Sequence, residues 1–185
     1  MRIISGRFKS RKIYSPAAGK NKSRGEIRPT SDKARETVFD ILNSRLDLTG
    51  CSCLDLFAGT GAYGFECLSR GASFVNFVDT SRVALNLIKK TSGELGLNDK
   101  VSITRSEAIK FLKENKIESD AVFADPPYDY KALPELSVCV FENDFKFFVL
   151  ETGKQFEMNY DANRYDCIER RVGEAFFKIF INKQI

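Results

Sequence analysis

Length, composition and charge limit this chain to few classes. It has 185 residues, 43% of them hydrophobic, which suffices for the core of one domain. It has no histidine, a formal net charge of +4 and five irregularly spaced cysteines, which argues against a disulfide-rich secreted module and a zinc site. The N-terminus lacks a signal-peptide core, and no run approaches a membrane span. We expect one cytoplasmic domain over residues 1–185 that binds no metal, with Cys51 and Cys53 as reduced core residues.

Positive charge is concentrated at the N-terminus. Residues 1–36 contain 11 Lys or Arg and 3 Asp or Glu, a local charge of +8, so the remainder carries −4. This asymmetry is typical of an arm that binds a polyanion, although basic tails also serve only to solubilise a protein. We interpret residues 1–29 as a basic arm with a short hairpin and residues 30–185 as the core.

The core begins with a predicted helix over residues 30–42, capped by the hydroxyl of Thr30 or Ser31. Lys33 and Arg35 fall outside the apolar face of this helix. That face is formed by Ala34, Val38, Ile41 and Leu42.

Apolar runs and turn signals then alternate in the manner of βα units. Strands are predicted at 51–57, 73–79, 101–105, 119–124 and 145–151. Helices are predicted near 61–69, 81–95, 107–115 and 132–141. Residues 165–171 and 175–181 flank a glycine turn and predict an antiparallel hairpin. The predicted fold class is α/β, a doubly wound, Rossmann-like and mostly parallel seven-stranded sheet with a C-terminal antiparallel hairpin and a basic N-terminal arm.

A glycine-rich turn follows the first predicted strand. Gly59, Gly61 and Gly64 satisfy G-x-G-x-x-G, which suits NAD, FAD or S-adenosylmethionine (SAM) equally. Asp55 separates these ligands, because a carboxylate at the strand tip repels a pyrophosphate and attracts the cationic amino group and sulfonium of SAM. We therefore predict a SAM site. An NAD-dependent oxidoreductase is the functional alternative. The structural alternative is a glycine turn in which the aspartate only caps the backbone and binds no ligand.

Two further acids fall where a nucleoside needs them. Asp79 ends the second strand, twenty residues after Gly59, which is close to the spacing of ribose-binding acids. Glu107, with Ala108, follows the third strand, where its carboxylate and the backbone could meet an adenine edge. For Glu107 a helix N-cap is an equally good explanation.

The sequence Asp125-Pro126-Pro127-Tyr128 follows the fourth predicted strand directly. Each proline fixes its own φ and favours extended geometry in the residue before it, so the carbonyls of Asp125 and Pro126 have nearly fixed directions. Such acceptors suit an exocyclic amine, and the Tyr128 ring could stack on a base. The motif predicts a pocket for a flat, amino-bearing base. A proline-rich turn that ends a buried strand is the structural alternative.

With these motifs together, the sequence resembles the bacterial 16S ribosomal RNA guanine-N2 methyltransferases of the RsmD type, which modify guanine 966. The chain departs from the family in having Asp79 where Glu is usual, and in lacking the second N-terminal glycine within residues 8–11. The segment 17–26 is also longer and more polar than usual. The resemblance rests on residues 2–6, 28–36, 54–64, 69–72 and 125–128.

The resemblance implies a SAM-dependent methyltransferase fold and assigns site residues. The substrate would be 16S rRNA, within a small subunit or an assembly intermediate, and the protein would be a monomer. Catalytic residues would be Asp125, Pro126, Pro127 and Tyr128. SAM would contact Asp55, Phe57, Ala58, Gly59, Gly61, Asp79, Glu107 and Ala108. RNA would contact Arg2, Arg7, Lys9, Arg11, Lys12, Arg28, Thr30, Lys33 and Arg35.

The mechanism that suits these residues is direct methyl transfer to guanine N2 without a covalent enzyme intermediate. Acceptors from Asp125 and the Pro126 carbonyl would concentrate the amine lone pair toward the methyl group. Three alternatives remain besides the oxidoreductase. A DNA adenine-N6 or a protein-glutamine methyltransferase could use a similar pocket, commonly with Asn in place of Asp125. A non-catalytic RNA-binding assembly factor could retain the motifs without the activity.

Overall fold

A computed structural model describes residues 1–16, 32–45 and 47–184 and shows one mixed sheet. The strands are β1 (Ser52–Leu56), β2 (Phe74–Asp79), β3 (Val101–Arg105), β4 (Ala121–Ala124), β5 (Phe147–Thr152), β6 (Tyr165–Val172) and β7 (Ala175–Asn182). Their order is β3-β2-β1-β4-β5-β7-β6. β1 to β5 pair in parallel, and β7 pairs antiparallel with both β5 and β6. The predicted doubly wound sheet with a C-terminal antiparallel hairpin is confirmed.

Helices cover both faces of the sheet. They are α1 (Asp32–Asn43), α2 (Ala62–Ser69), α3 (Arg82–Leu95), α4 (Ala108–Glu114) and α5 (Leu133–Phe141). α1, α2 and α3 enclose one apolar cluster, and α4 and α5 enclose a second on the opposite face. Because both faces are covered, β4 and β5 are buried along their whole length, as expected of central strands in a wound sheet. None of the helices described has the length and apolar character needed to cross a bilayer.

The cysteines behave as core residues. Cys51, Cys53, Cys67 and Cys139 are buried, Cys167 is half-buried, and all of them are free thiols. Burial is the first cause that raises the pKa of the Cys51 and Cys139 thiols. The thiols are therefore less reactive than exposed cysteines, and they act as small apolar side chains.

The first residues form the predicted short hairpin, and this hairpin is packed into the domain. Arg2 and Lys12 form an antiparallel bridge, and the Ile3 N–H donates to the Arg11 carbonyl at 3.0 Å. Ile3 and Ile13 are 2% and 0% exposed and belong to the cluster under α1, α2 and α3. The hairpin therefore presents its basic side chains from a fixed position rather than from a free tail.

Glu66, a buried acid on α2, anchors the hairpin. Its Oε2 accepts the Ile4 N–H at 2.8 Å, and its Oε1 accepts the Ser5 N–H at 3.0 Å. Oε1 also accepts from Arg70 Nε at 2.9 Å, and Oε2 lies 3.9 Å from a guanidinium nitrogen of Arg35. One carboxylate thus satisfies two backbone donors and lies beside two guanidinium groups in a site closed to water.

Gly6 lets the hairpin approach α2 closely. Its φ is +79°, and a Cβ at this position would lie 1.9 Å from the Ser69 carbonyl oxygen. The same oxygen accepts the Arg7 N–H at 2.7 Å, and the Ser69 hydroxyl accepts the Phe8 N–H at 2.9 Å. The hairpin is therefore joined to the C-terminal end of α2.

The structure corrects the assignment of Arg35. This residue is 0% exposed, so the predictions that it lies off the buried face of α1 and that it contacts RNA are wrong. Its Nη2 donates to the Arg2 carbonyl at 3.0 Å and to Asp32 Oδ1 at 2.6 Å, and Glu66 lies beside it. The guanidinium is buried because α2 supplies a buried counterion. Lys33 is exposed, as an RNA contact requires. Arg28, Thr30 and the predicted helix cap lie outside the described residues.

Candidate active site

The predicted acids gather along one edge of the sheet, beyond the carboxyl ends of the parallel strands. Asp55 lies near the end of β1, Asp79 ends β2, and Asp125 directly follows β4. β1 lies between β2 and β4, so the strand order reverses there, and the connections leave to opposite faces. In wound sheets a crevice opens at this switch point, and ligands bind in it.

The glycine turn between β1 and α2 has left-handed backbone at three positions, two of them glycines. Phe57, Gly59 and Gly61 have φ of 56°, 54° and 79°, and Gly61 is the N-cap of α2. The Gly59 N–H donates to Asp79 Oδ2 at 2.7 Å, and the Ser81 N–H donates to Oδ1 at 2.7 Å. Asp79 thus joins the turn to the loop after β2. A carboxylate offers about four acceptor positions, so two remain for a ligand.

Gly64 sets the distance between α2 and the sheet. A Cβ at this position would lie 2.2 Å from a ring carbon of Phe77 on β2 and 2.7 Å from Val75. This close approach of helix and strand is the role of the third glycine in nucleotide-binding turns.

We expect Gly64→Ala to lower the free energy of unfolding by about 1–3 kcal/mol, because the new methyl group overpacks the contact with Phe77. Gly93→Ala is the matched control, since Gly93 lies on α3 with its nearest neighbouring atom 3.9 Å from an added Cβ. The control should be neutral or slightly stabilised. Urea denaturation of both variants measures the difference, and equal midpoints would show that α2 can shift without cost.

Asp55 supports the glycine turn from below. It is 2% exposed, and its Oδ2 accepts the Gly64 N–H at 2.9 Å. Burial is the main cause that raises the pKa of Asp55 from 3.8 to about 8. The negative charge of Asp79 also raises this pKa, whereas the hydrogen bond from the Gly64 N–H lowers it. The structural role that the sequence left open, a cap for the turn, is therefore present.

The raised pKa predicts a pH-dependent stability. Between the unfolded pKa of 3.8 and the folded pKa of about 8, the native protein holds a proton that the unfolded chain has lost. Stability should therefore fall as pH rises through this window, by up to about 1.4 kcal/mol per pH unit relative to Asp55→Asn. Denaturation of both proteins from pH 5 to pH 8 tests this. Parallel stability curves would contradict it.

Glu107 is the N-cap of α4, so the capping interpretation is confirmed for this residue. Its Oε2 accepts the Lys110 N–H at 2.9 Å, and its Oε1 accepts the Tyr130 hydroxyl at 2.9 Å. Burial opposes ionisation, but these hydrogen bonds outweigh it and lower the pKa of Glu107. The Tyr130 ring meets Phe57 edge-on at 5.1 Å between centroids, which joins the glycine turn to the loop after β4. Glu107 and Tyr130 also line a groove of about 470 Å³ between α4 and α5, and Asp125 is not among its lining residues.

The Asp125-Pro126-Pro127-Tyr128 segment forms the loop that leaves β4. Asp125 and Tyr128 are half-buried, Pro126 is buried and Pro127 is exposed. The Pro127 carbonyl accepts the Tyr130 N–H at 2.8 Å, which closes a turn after the motif. The loop therefore holds an acid and an aromatic ring at the carboxyl edge, next to the glycine turn on β1.

Three residues beside this loop were not identified from the sequence, and they are Glu151, Tyr63 and Gly153. Glu151, near the end of β5, is 3% exposed, and its Oε2 accepts the Tyr63 hydroxyl at 2.9 Å. Its Oε1 lies 3.5 Å from the Tyr128 hydroxyl. Gly153 packs against the Tyr128 ring. A single acid at the end of the apolar run 147–150 is the same signal that identified the other strand-end acids, and it could have found Glu151.

A solved structure with this fold identifies the class of protein. The chain superposes on yhhF, a candidate methyltransferase from Escherichia coli, with a TM-score of 0.81 and 26% identity over 98% of this chain and 97% of that one. The fold and the strand-edge site therefore define a Rossmann-like methyltransferase.

Sequence comparison identifies the family. The model of the family described as Conserved hypothetical protein 95 matches residues 1–181. Ribosomal RNA small subunit methyltransferase D of Haemophilus influenzae is 30% identical over 98% of this chain and 94% of its own length. The Escherichia coli K12 protein of the same name is 37% identical over 73% of this chain and 64% of its own. The chain belongs to this RsmD-type family, as the resemblance implied.

Proposed function

We propose that this protein transfers a methyl group from SAM to the exocyclic N2 of a guanine in 16S rRNA. The observation that carries the proposal is the Asp125 to Tyr128 loop, which places an acid and an aromatic ring at the strand edge beside a glycine turn. The names of the relatives, ribosomal RNA small subunit methyltransferase D, support rRNA as the substrate class. An rRNA substrate also supports the expected cytoplasmic location.

The residues at the glycine turn suit SAM. Asp79 keeps two acceptor positions for ribose hydroxyls after binding Gly59 and Ser81. SAM supplies a methyl group on a sulfonium, so the chain need not provide a nucleophile. The residues that would hold it are Phe57, Ala58, Gly59, Gly61, Asp79, Glu107 and Ala108, and the buried Asp55 would act by supporting the turn.

Asp125, Pro126 and Tyr128 would hold the acceptor base. The carboxylate of Asp125 and the Pro126 carbonyl accept hydrogen bonds from the amine, and the Tyr128 ring stacks on the base. The amine gains a methyl group and loses a proton in the transfer, and the proton can leave to water afterwards. Positioning of aligned reactants contributes on the order of 7–11 kcal/mol to such reactions, so a strong base is unnecessary. The base must be unpaired or flipped out, which costs a few kcal/mol.

The exposed basic side chains of the hairpin would bind RNA phosphates away from the target nucleotide. The Arg7 N–H donates to the Ser69 carbonyl at the far end of α2, and an eight-residue helix is about 12 Å long. Phosphates held there lie outside the base pocket, so the protein should recognise a folded RNA segment. The exposed basic residues of this surface are Arg2, Arg7, Lys9, Arg11, Lys12 and Lys33.

Transfer of labelled methyl groups from SAM to competing polymers tests this function. The acceptors are unmodified 16S rRNA, small subunits lacking the modification, duplex DNA and total protein, each with the purified enzyme. Label in rRNA, free or in subunits, is the expected result. Label in DNA would favour an adenine-N6 methyltransferase, and label in protein would favour a glutamine methyltransferase. RNA binding without any label would favour a non-catalytic assembly factor.

A further inference from the structure

The end of β5 lies beside the proposed base pocket. Ala124 on β4 is in register with Leu150 on β5, so Asp125, the residue after β4, lies beside Glu151 in the neighbouring parallel strand. Glu151 is buried and accepts the Tyr63 hydroxyl. An acid at 3% exposure in an otherwise apolar strand requires such partners to be stable.

Tyr63 fixes the orientation of Glu151. The Tyr63 ring stacks on Phe123 of β4 at 5.2 Å and 18°, and it contacts Phe39 of α1 at 6.2 Å. Its hydroxyl lies 2.9 Å from Glu151 Oε2, which directs the second oxygen toward the Tyr128 hydroxyl at 3.5 Å. Hydrogen bonds at active sites are often long without substrate and shorten in the complex. Glu151 thus joins Tyr128 to the rigid core.

Gly153 fixes the Tyr128 ring from the other direction. A Cβ on Gly153 would lie 2.2 Å from both Cγ and Cδ2 of Tyr128 and 2.7 Å from its Cβ. The contact involves the Cβ and the nearest ring atoms of Tyr128, so a small rotation of the ring about the Cβ–Cγ bond cannot relieve it. Ordinary contact begins at 3.4 Å, so an alanine would displace the ring by about 1.2 Å.

We propose that Glu151 and Gly153 are positioning residues that set the plane of the Tyr128 ring for the acceptor base. This inference rests on the proposed function, because it assigns Tyr128 to the base. Glu151 holds the hydroxyl end of the Tyr128 ring. Gly153 has no side chain, so the Cβ and Cγ of Tyr128 can lie against the backbone after β5. Neither residue touches the base, and both act through Tyr128.

Gly153→Ala tests the steric part. We expect kcat for RNA methylation to fall about 100-fold, the size of effect that a misplacement near 1 Å produces, while SAM affinity stays within twofold of wild type. Gly93→Ala is the matched control and should keep wild-type kcat. The loss should be much smaller in a Tyr128→Ala background, because the ring is then absent and only the contact with the Cβ at position 128 remains. An equal loss in both backgrounds would overturn the proposal.

Glu151→Gln tests the hydrogen-bonded part with less risk to folding. The two tyrosine hydroxyls meet different oxygens of the carboxylate, and glutamine replaces one of these acceptors with an NH2 group that only donates. We expect kcat to fall about tenfold, with a smaller loss in the Tyr128→Phe background, where the second hydroxyl is absent. A kcat equal to that of wild type would remove Glu151 from the proposal.

Fluorine NMR separates this inference from the function. With 3-fluorotyrosine incorporated and the Tyr128 signal assigned by Tyr128→Phe, Gly153→Ala should move that signal while Gly93→Ala leaves it unchanged. The readout needs no RNA and no turnover. A moved signal in a protein that methylates no RNA would support the positioning and reject the function, whereas an unmoved signal would reject the positioning alone.

Discussion

Asp125→Ala is expected to lower kcat for methyl transfer by roughly 10²–10³-fold, the usual effect of removing one preorganised polar group at a reacting centre. Asp125 would accept a hydrogen bond from the amine that receives the methyl group, and alanine leaves that amine without its acceptor. The residue is half-buried in a loop outside the helices and strands, so the fold and SAM affinity should be retained.

Asp125→Asn is the matched control for this variant, because its amide oxygen still accepts one hydrogen bond. We expect it to retain more activity than Asp125→Ala. Single-turnover rates with saturating SAM and RNA measure both variants, and calorimetry measures SAM affinity. A rate for Asp125→Ala within threefold of wild type would remove Asp125 from the chemistry.

Glu66→Ala is expected to lower the free energy of unfolding by about 3–5 kcal/mol. The substitution leaves the Arg35 guanidinium without its buried counterion and the N–H groups of Ile4 and Ser5 without their acceptor. Arg35 then keeps only the exposed Asp32 as a counterion, and buried backbone donors without an acceptor add their own cost. Release of the hairpin should follow, visible as faster proteolysis near the N-terminus.

Glu94→Ala is the control for this effect. Glu94 on α3 also contacts the hairpin, since its Oε1 accepts the Tyr14 hydroxyl at 2.6 Å, but it is exposed. Its loss should cost less than about 1 kcal/mol, because water replaces an exposed partner. Denaturant titrations of the two variants give the comparison. Equal losses would show that Glu66 is not the main anchor of the hairpin.

The sheet and the strand-edge acids could be predicted from local patterns. Buried strands in a wound fold are short apolar runs, and the chain marks their ends with Asp79, Asp125 and the glycine turn. Each of these signals lies within a few residues of the feature it determines. The helix boundaries therefore differ from prediction by only one or two residues, as in the predicted 107–115 against Ala108–Glu114.

The features that sequence did not reveal depend on contacts between distant segments. Arg35 has the pattern of an exposed basic residue, and only the packing of α1 on α2 brings it to Glu66, thirty-one residues later. Gly153 has the pattern of an ordinary loop glycine, because its requirement comes from the Tyr128 ring on another connection. Glu107 was ambiguous because a strand-end acid and a helix N-cap occupy the same position in a βα unit.

The central claim is that the acceptor atom is N2 of a guanine, and identification of the methylated nucleoside tests it most directly. 16S rRNA or small subunits lacking the modification would be methylated with SAM, digested to nucleosides and separated by mass spectrometry against standards. We predict N2-methylguanosine at a single position of the rRNA, lost with Asp125→Ala. N6-methyladenosine, or a methyl group at another position of guanine, would contradict the account of the pocket.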